Sequence, residues 1–213
     1  MTWLQDHWSD VFELLGQHVY LAGVPLVLGL LVAVPLGWVA QRLPRLRTPI
    51  VVGTGLLYTV PSIALFILMP SILGTGILDP VNVLVSMTIY TVALLTRTAS
   101  DALEAVPESV RLSADAMGVK PLRRLFTVDL PLAVPVLAAG LRVAAVSNVS
   151  IVSVAALIGV PQLGQLFTDG FSRDFMDPLA VGVVGCLVLA LVFDLVIVVL
   201  ARLATPWHQG RTA

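Results

Sequence analysis

Residues 178–203 read PLAVGVVGCLVLALVFDLVIVVLARL, and only Asp194 and Arg202 in this stretch carry charge. A helix of that length rises about 39 Å at 1.5 Å per residue, more than the roughly 30 Å needed to cross a bilayer's hydrocarbon core. Working back from it, residues 19–40, 50–69, 81–99 and 131–152 form four more apolar stretches, each bounded by Pro, Gly or charge. Across all 213 residues, 58% are hydrophobic and 12% charged, and mean hydropathy is +0.98, too apolar for a chain with a water-facing surface. The reading is an all-α membrane protein with five transmembrane helices.

Residues 1–18 set Trp3, Trp8, Phe12 and Leu15 among polar neighbours at near-helical spacing and read as an interfacial segment. Asp6, Asp10 and Glu13 stand where a cleaved secretory signal needs basic residues, so the first span serves as its own insertion signal. Residues 131–160 would make a straight helix of about 45 Å, too long for one span and too short for two with a turn. They read as one span followed by an outer irregular or short helical segment. Residues 204–213 form a polar tail.

Orientation follows from the cations, because positively charged connections stay on the cytoplasmic side. Arg42, Arg45 and Arg47 fill the first connection, and Arg97, Arg111, Lys120, Arg123 and Arg124 fill or border residues 100–130. Arg202 and Arg211 end the chain. With the N-terminus outside, these ten face the cytoplasm against one, Arg173, on the outer side; Arg142 lies inside a span. The expectation is a multi-pass protein of the plasma membrane with a cytoplasmic C-terminus.

Several chemistries drop out. The net charge is -1 and no basic stripe interleaved with aromatics occurs, so nucleic acid is not a partner; the lipid bilayer is. No GxxxxGK[ST] loop is present, and His7, His18 and His208 fall too far apart in this topology for a metal site. Cys186 is one thiol in an apolar run without a disulfide partner. The chain is therefore not an enzyme and holds no cofactor of its own. Energy for transport must come from a partner or an ion gradient.

Residues 100–130 are the one long polar connection. Ser113-Ala114-Asp115-Ala116-Met117-Gly118 leads through Pro121 to Val128-Asp129-Leu130-Pro131. Two short helices broken near Gly118 to Pro121 fit the weak helix propensity of Gly and the preference of Pro for a first helical turn. A plain amphipathic loop on the inner leaflet fits the spacing as well.

This segment resembles the EAA loop in permease subunits of binding-protein-dependent ABC importers: Glu-Ala-Ala, three residues, Gly, nine residues, an aliphatic residue, one residue, Leu-Pro. Ala114, Gly118, Val128, Leu130 and Pro131 match; Leu112 and Ser113 stand where that motif has Glu and Ala. Thr59-Val60-Pro61-Ser62-Ile63-Ala64-Leu65, Leu141-Arg142-Val143-Ala144 and Ala155-Ala156-Leu157-Ile158-Gly159 are similar to stretches of the glycine betaine, carnitine and choline permeases. The resemblance covers roughly residues 20–200 and implies a type I ABC importer permease fold. It implies a coupling helix docked on a separate ATPase subunit that carries ATP and magnesium, with Ala114, Asp115, Gly118, Val119, Pro121, Leu130 and Pro131 at or beside that contact. It further implies a second permease subunit, identical or different, and an extracytoplasmic substrate-binding protein. The missing motif Glu is compatible with a second, more typical permease chain.

Inside the spans, Pro61 kinks the second span by removing a backbone donor, either for packing or beside a pathway that Ser62 lines. Asn148, with Ser147, Ser150 and Ser153, either bonds neighbouring helices or lines that pathway. Arg142 and Asp194 are costly in hydrocarbon. Eleven residues past Pro131 and eight before Arg202, they sit roughly 16 Å and 12 Å deep. They read as an ion pair between the fourth and fifth spans, with a substrate role for Arg142 as the alternative. No cluster of aromatic rings that would cage a quaternary ammonium group is visible, which places recognition in the binding protein. The function expected is import of an osmoprotectant such as glycine betaine, proline betaine, choline or carnitine by alternating access. A small amino acid as cargo, a gradient-driven carrier and a membrane scaffold are the competing readings.

Overall fold

The computed structural model describes residues 2–207; the expected tail beyond it, with His208 and Arg211, lies outside the described residues. Ten α-helices follow in order: α1 Thr2–Asp6, α2 Trp8–Arg42, α3 Pro44–Tyr58, α4 Ser62–Leu73, α5 Pro80–Glu104, α6 Glu108–Ala116, α7 Pro121–Arg124, α8 Leu130–Ser153, α9 Gln165–Ser172 and α10 Met176–Ala204. A π turn, Leu125–Asp129, runs into α8, and a 3-10 turn, Val154–Ile158, leaves it. Four stretches are long and apolar enough to cross a membrane: α2, α5, the run Pro121–Ile158, and α10. The bent pair α3 and α4 makes the fifth if it counts as one span.

Two expected boundaries shift. Residues 8–18 are not a separate interfacial helix, because α2 runs unbroken for 35 residues from Trp8 and nothing near residue 18 ends it. Its roughly 52 Å exceeds the hydrocarbon core, so its N-terminal turns can project past the membrane. There Trp3 stacks on His7 with ring centroids 4.5 Å apart and meets Phe175 edge-on at 6.3 Å, tying the N-terminus to the start of α10.

Residues 50–69 are not one helix either. Pro61 has no N–H to continue the ladder and disfavours helical backbone at Val60 before it. The last turn of α3 closes short, with the N–H groups of Thr59 and Val60 donating to the carbonyls of Leu56 and Leu57 at 3.0 and 3.3 Å. Pro61 is extended at φ -60°, ψ 132°, and α4 leaves at 101° to α3.

The centre of the bundle is α5, started by Asp79, whose carboxylate accepts from Val81 N at 2.9 Å, with Pro80 in the first turn. It packs against α2, α3, α4 and α8. Helices in lipid gain little from burying apolar surface and associate through close backbone approach at small residues. Gly29, Ala33, Gly37 and Ala40 are that seam on α2. A Cβ on Gly29 would collide with the Thr91 side chain, and one on Gly37 would lie 2.6 Å from Ala99 Cβ and 2.7 Å from Ser100 N. Gly140 of α8 meets Thr98 in the same way.

Three apolar clusters stack along the bundle. Phe66, Met87, Val152 and Leu163 belong to the one beside the start of α5, Ala33, Leu95 and Ala144 to the middle, and Leu103, Leu125 and Ala133 to the one at the end of α5 and the foot of α8. By contrast α3 buries no side chain, and most large apolar side chains of α10 are exposed on the monomer. These faces contact lipid or other membrane helices.

Candidate coupling and translocation site

The polar connection forms two short helices. Glu108–Ala116 ends where Met117 N donates to Ser113 O at 3.1 Å and Val119 N to Ala114 O at 3.1 Å. Gly118 sits between these closures at φ +75°, a left-handed conformation that glycine adopts without a Cβ penalty. The chain then turns to Lys120, extended, and Pro121 opens α7 at its first position.

A clasp of charges fixes this turn to the foot of α8. Arg124 grips the Asp115 carboxylate through Nη1 at 2.5 and 2.6 Å, and its Nε reaches Asp129 Oδ2 at 3.4 Å. Arg111 approaches Asp129 from the other side, Nε to Oδ1 at 3.7 Å, while its Nη2 donates to the Leu103 carbonyl at the end of α5. Asp129 is buried, and without these two cations its charge would be unsupported. Through these two arginines one carboxylate links α6, α7, the end of α5 and the foot of α8. Arg47 pairs with Glu104 and lies 3.7 Å from Asp101, which holds the start of α3 to the end of α5 on the same side.

The outward face of the loop differs from the expected one. Ala114 is buried at 2% exposure, so the motif alanine lies on the inner side of α6 rather than offering surface, and Val119 is half-buried. The surface is Leu112 at 61%, Met117 at 76% and Leu122, with Gly118 and Pro121 exposed between them. Leu112, where the family motif has Glu, therefore contributes an apolar knob in place of a charge. Leu130 and Pro131 are half-buried at the head of α8. The exposed trio was detectable in sequence only as hydrophobics in a polar loop.

Of the residues expected beside a pathway, Asn148 lies in a helix interface. It is buried, and its Nδ2 donates to Thr91 Oγ1 at 3.0 Å and to the Ala22 carbonyl at 3.2 Å, bonding α8 to α5 and α2. Packing therefore claims it. Pro61 is exposed and Ser62 half-buried, both at the α3/α4 break. In the N-terminal half of α2, His18 is wholly buried, with Nδ1 3.1 Å from Gln162 Oε1 and Nε2 3.0 Å from the Val149 carbonyl. Gln162 Nε2 in turn donates to Ser153 O at 3.1 Å, so His18 ties α2 to α8 and to the segment that follows the 3-10 turn.

Arg142 and Asp194 meet as a two-pronged pair between α8 and α10, Nε to Oδ1 at 2.5 Å and Nη2 to Oδ2 at 2.9 Å. Their side chains are partly open at the bundle's lateral surface. We propose a structural role for the pair. Asp194→Ala then leaves a lone cation in the membrane and lowers the level of assembled protein several-fold, on the order expected from the cost of unpaired charge at this depth. Combining it with Arg142→Ala recovers most of that loss, as read by detergent-solubilised yield and thermal midpoint. Equal yields for single and double variants would count against the role.

Long apolar helices, one broken span and a polar connection clasped to the ends of two spans define a multi-pass membrane protein. The chain belongs to the family described as binding-protein-dependent transport system inner membrane component, whose model matches residues 26–206. It is 32% identical over 209 residues to the osmoprotectant import permease protein OsmW of Salmonella typhimurium, covering 96% of each chain. It is 27% identical over 206 residues to the glycine betaine/carnitine/choline transport system permease protein OpuCB of Bacillus subtilis, covering 97% of this chain and 94% of that one. Its fold is that of a chain of the MetNI methionine ABC transporter in an inward-facing conformation, with a TM-score of 0.84 at 18% identity, covering 94% and 98%. The chain is thus a multi-pass permease of the ABC importer type.

Proposed function

We propose that this chain is one of two membrane halves of an ATP-driven importer for osmoprotectants of the glycine betaine, proline betaine, choline and carnitine class. Separate ATPase subunits bind ATP and magnesium and dock on Leu112, Met117 and Leu122. An extracytoplasmic binding protein delivers the solute at the outer end, and the N-terminus is outside. Closure of the ATPases pushes α6. The Arg111–Asp129–Arg124 clasp passes that displacement to α5 and α8 as one body, which tilts the spans between inward- and outward-open states.

The observation that carries this reading is the clasp. An exposed loop held to two spans by one buried carboxylate can transmit force, whereas a loosely tethered amphipathic loop cannot. The osmoprotectant class is supported by similarity along the full chain to relatives that bear those names. A gradient-driven carrier finds no comparable support, because the one clear intramembrane carboxylate, Asp194, is already engaged by Arg142. The test is a panel of labelled glycine betaine, choline, carnitine and proline offered to the complex in proteoliposomes. Saturable uptake of at least one quaternary ammonium solute is expected. Uptake of proline alone would move the cargo to the amino acids.

A further inference from the structure

The break between α3 and α4 has features that neither packing nor coupling uses. Arg47 and Glu104 pair at the cytoplasmic side and set the register. Tyr58 lies eleven residues beyond Arg47 and Tyr90 fourteen before Glu104, about 16 and 21 Å inward, near the bilayer middle. Residues 59–61 are unwound there and exposed on the monomer. Non-helical backbone at that depth is tolerated only where it is covered by protein or lines a water-filled cavity, so this face is turned away from lipid.

Three helices, α3, α4 and α5, meet at the break. The Tyr58 and Tyr90 rings meet edge-to-face, with centroids 5.8 Å apart and planes at 83°. Tyr90 is 4% exposed and locked by its hydroxyl, which donates to the Val60 carbonyl. Tyr58, propped against it, is 39% exposed. The fifteen-residue α3 ends at Tyr58 and directs the negative end of its dipole to this point. Between Arg47 and Asp79 the chain carries no Asp, Glu, Lys or Arg, so the segment that holds the break itself supplies neither a carboxylate to trap a cation tightly nor a cation to repel one.

We propose that this break is a transit site for the quaternary ammonium head of the solute, held by the Tyr58 ring and the carbonyl end of α3. The site rests on the osmoprotectant reading above. Rings attract such heads through their negative faces and helix C-termini through their dipoles. Neither demands desolvating a full opposing charge, which suits a site that must release its ligand on every cycle. The ring pair is invisible in sequence because its two members come from different spans.

The experiment is uptake of labelled glycine betaine and choline by the complete complex in proteoliposomes, with Tyr58→Phe, Tyr58→Trp and Tyr58→Leu. Phe and Trp, which keep a ring face, are expected within about twofold of the parent, and Leu about tenfold lower at equal amounts of assembled complex. Should Leu fail to assemble, Tyr58→Met supplies the ring-free comparison. Leu or Met transporting as well as Phe would overturn the site, as would Phe and Leu falling together. A parent complex that carries neither betaine nor choline would instead overturn the substrate reading and the site with it.

Discussion

Changing Leu112 and Met117 together to glutamate should leave the bundle folded and abolish coupling. Both side chains are mostly exposed and support no contact within the chain's apolar clusters, so thermal stability of the isolated permease should be unchanged. In the proposed assembly they are two of the three large apolar side chains, with Leu122, offered to an ATPase groove. Burying a large aliphatic side chain contributes about 1.5–3 kcal/mol, and two lost contacts of that size weaken docking by about a hundredfold or more, at roughly tenfold per 1.4 kcal/mol. Carboxylates in a desolvated contact add to the loss. Co-purification of the ATPase with the permease checks this, and uptake should fall in parallel. Undiminished co-purification would mean that the ATPase engages another surface.

A second large effect is expected from Gly37→Val, in the opposite sense: coupling residues stay intact and the bundle fails. Here the obstacle is the α5 backbone at Ser100 and the Ala99 methyl, neither of which can rotate away. Forcing extra atoms into a close-packed contact costs typically 1–3 kcal/mol and more where backbone must move. That is a large part of the stability of a typical domain. The expected result is loss of most monodisperse protein on size-exclusion chromatography after detergent extraction. Gly53→Ala is the control, because an added Cβ there meets nothing within 4 Å. Equal behaviour of the two variants would show that the α2/α5 seam is looser than the structure has it.

These two sites illustrate what sequence can and cannot convey in a membrane protein. Hydropathy located the long helices because length and apolarity are local properties, and α5, α8 and α10 begin and end within a few residues of the expected limits. Depth was also readable. Counting from the cytoplasmic ends brought Arg142 and Asp194 to similar levels, and their side chains do meet. Facing was not readable. Asn148 looked equally suited to a pathway or to a neighbour, and only packing shows it turned inward to Thr91 and Ala22. Ala114 fell at a motif position, yet the rotation of α6 buries it.

Pro61 announced a kink but not its size; at the 101° bend the Val60 carbonyl lies outside the helical ladder and accepts from the Tyr90 hydroxyl of another span, a partner no local pattern reveals. The clasp on Asp129 escaped detection for the same reason. Arg111 and Arg124 read as two more cytoplasmic cations until the fold placed both beside one buried carboxylate.

The central claim is that solute moves through this chain on energy delivered to its cytoplasmic loop by another subunit. The most direct measurement is glycine betaine accumulation in proteoliposomes holding the permease, its ATPase and the binding protein, with ATP trapped in the lumen and a protonophore present. The account predicts accumulation that requires lumenal ATP, persists with the protonophore and disappears in the Leu112→Glu, Met117→Glu variant. Accumulation without ATP, or its collapse on dissipating the gradient, would contradict it.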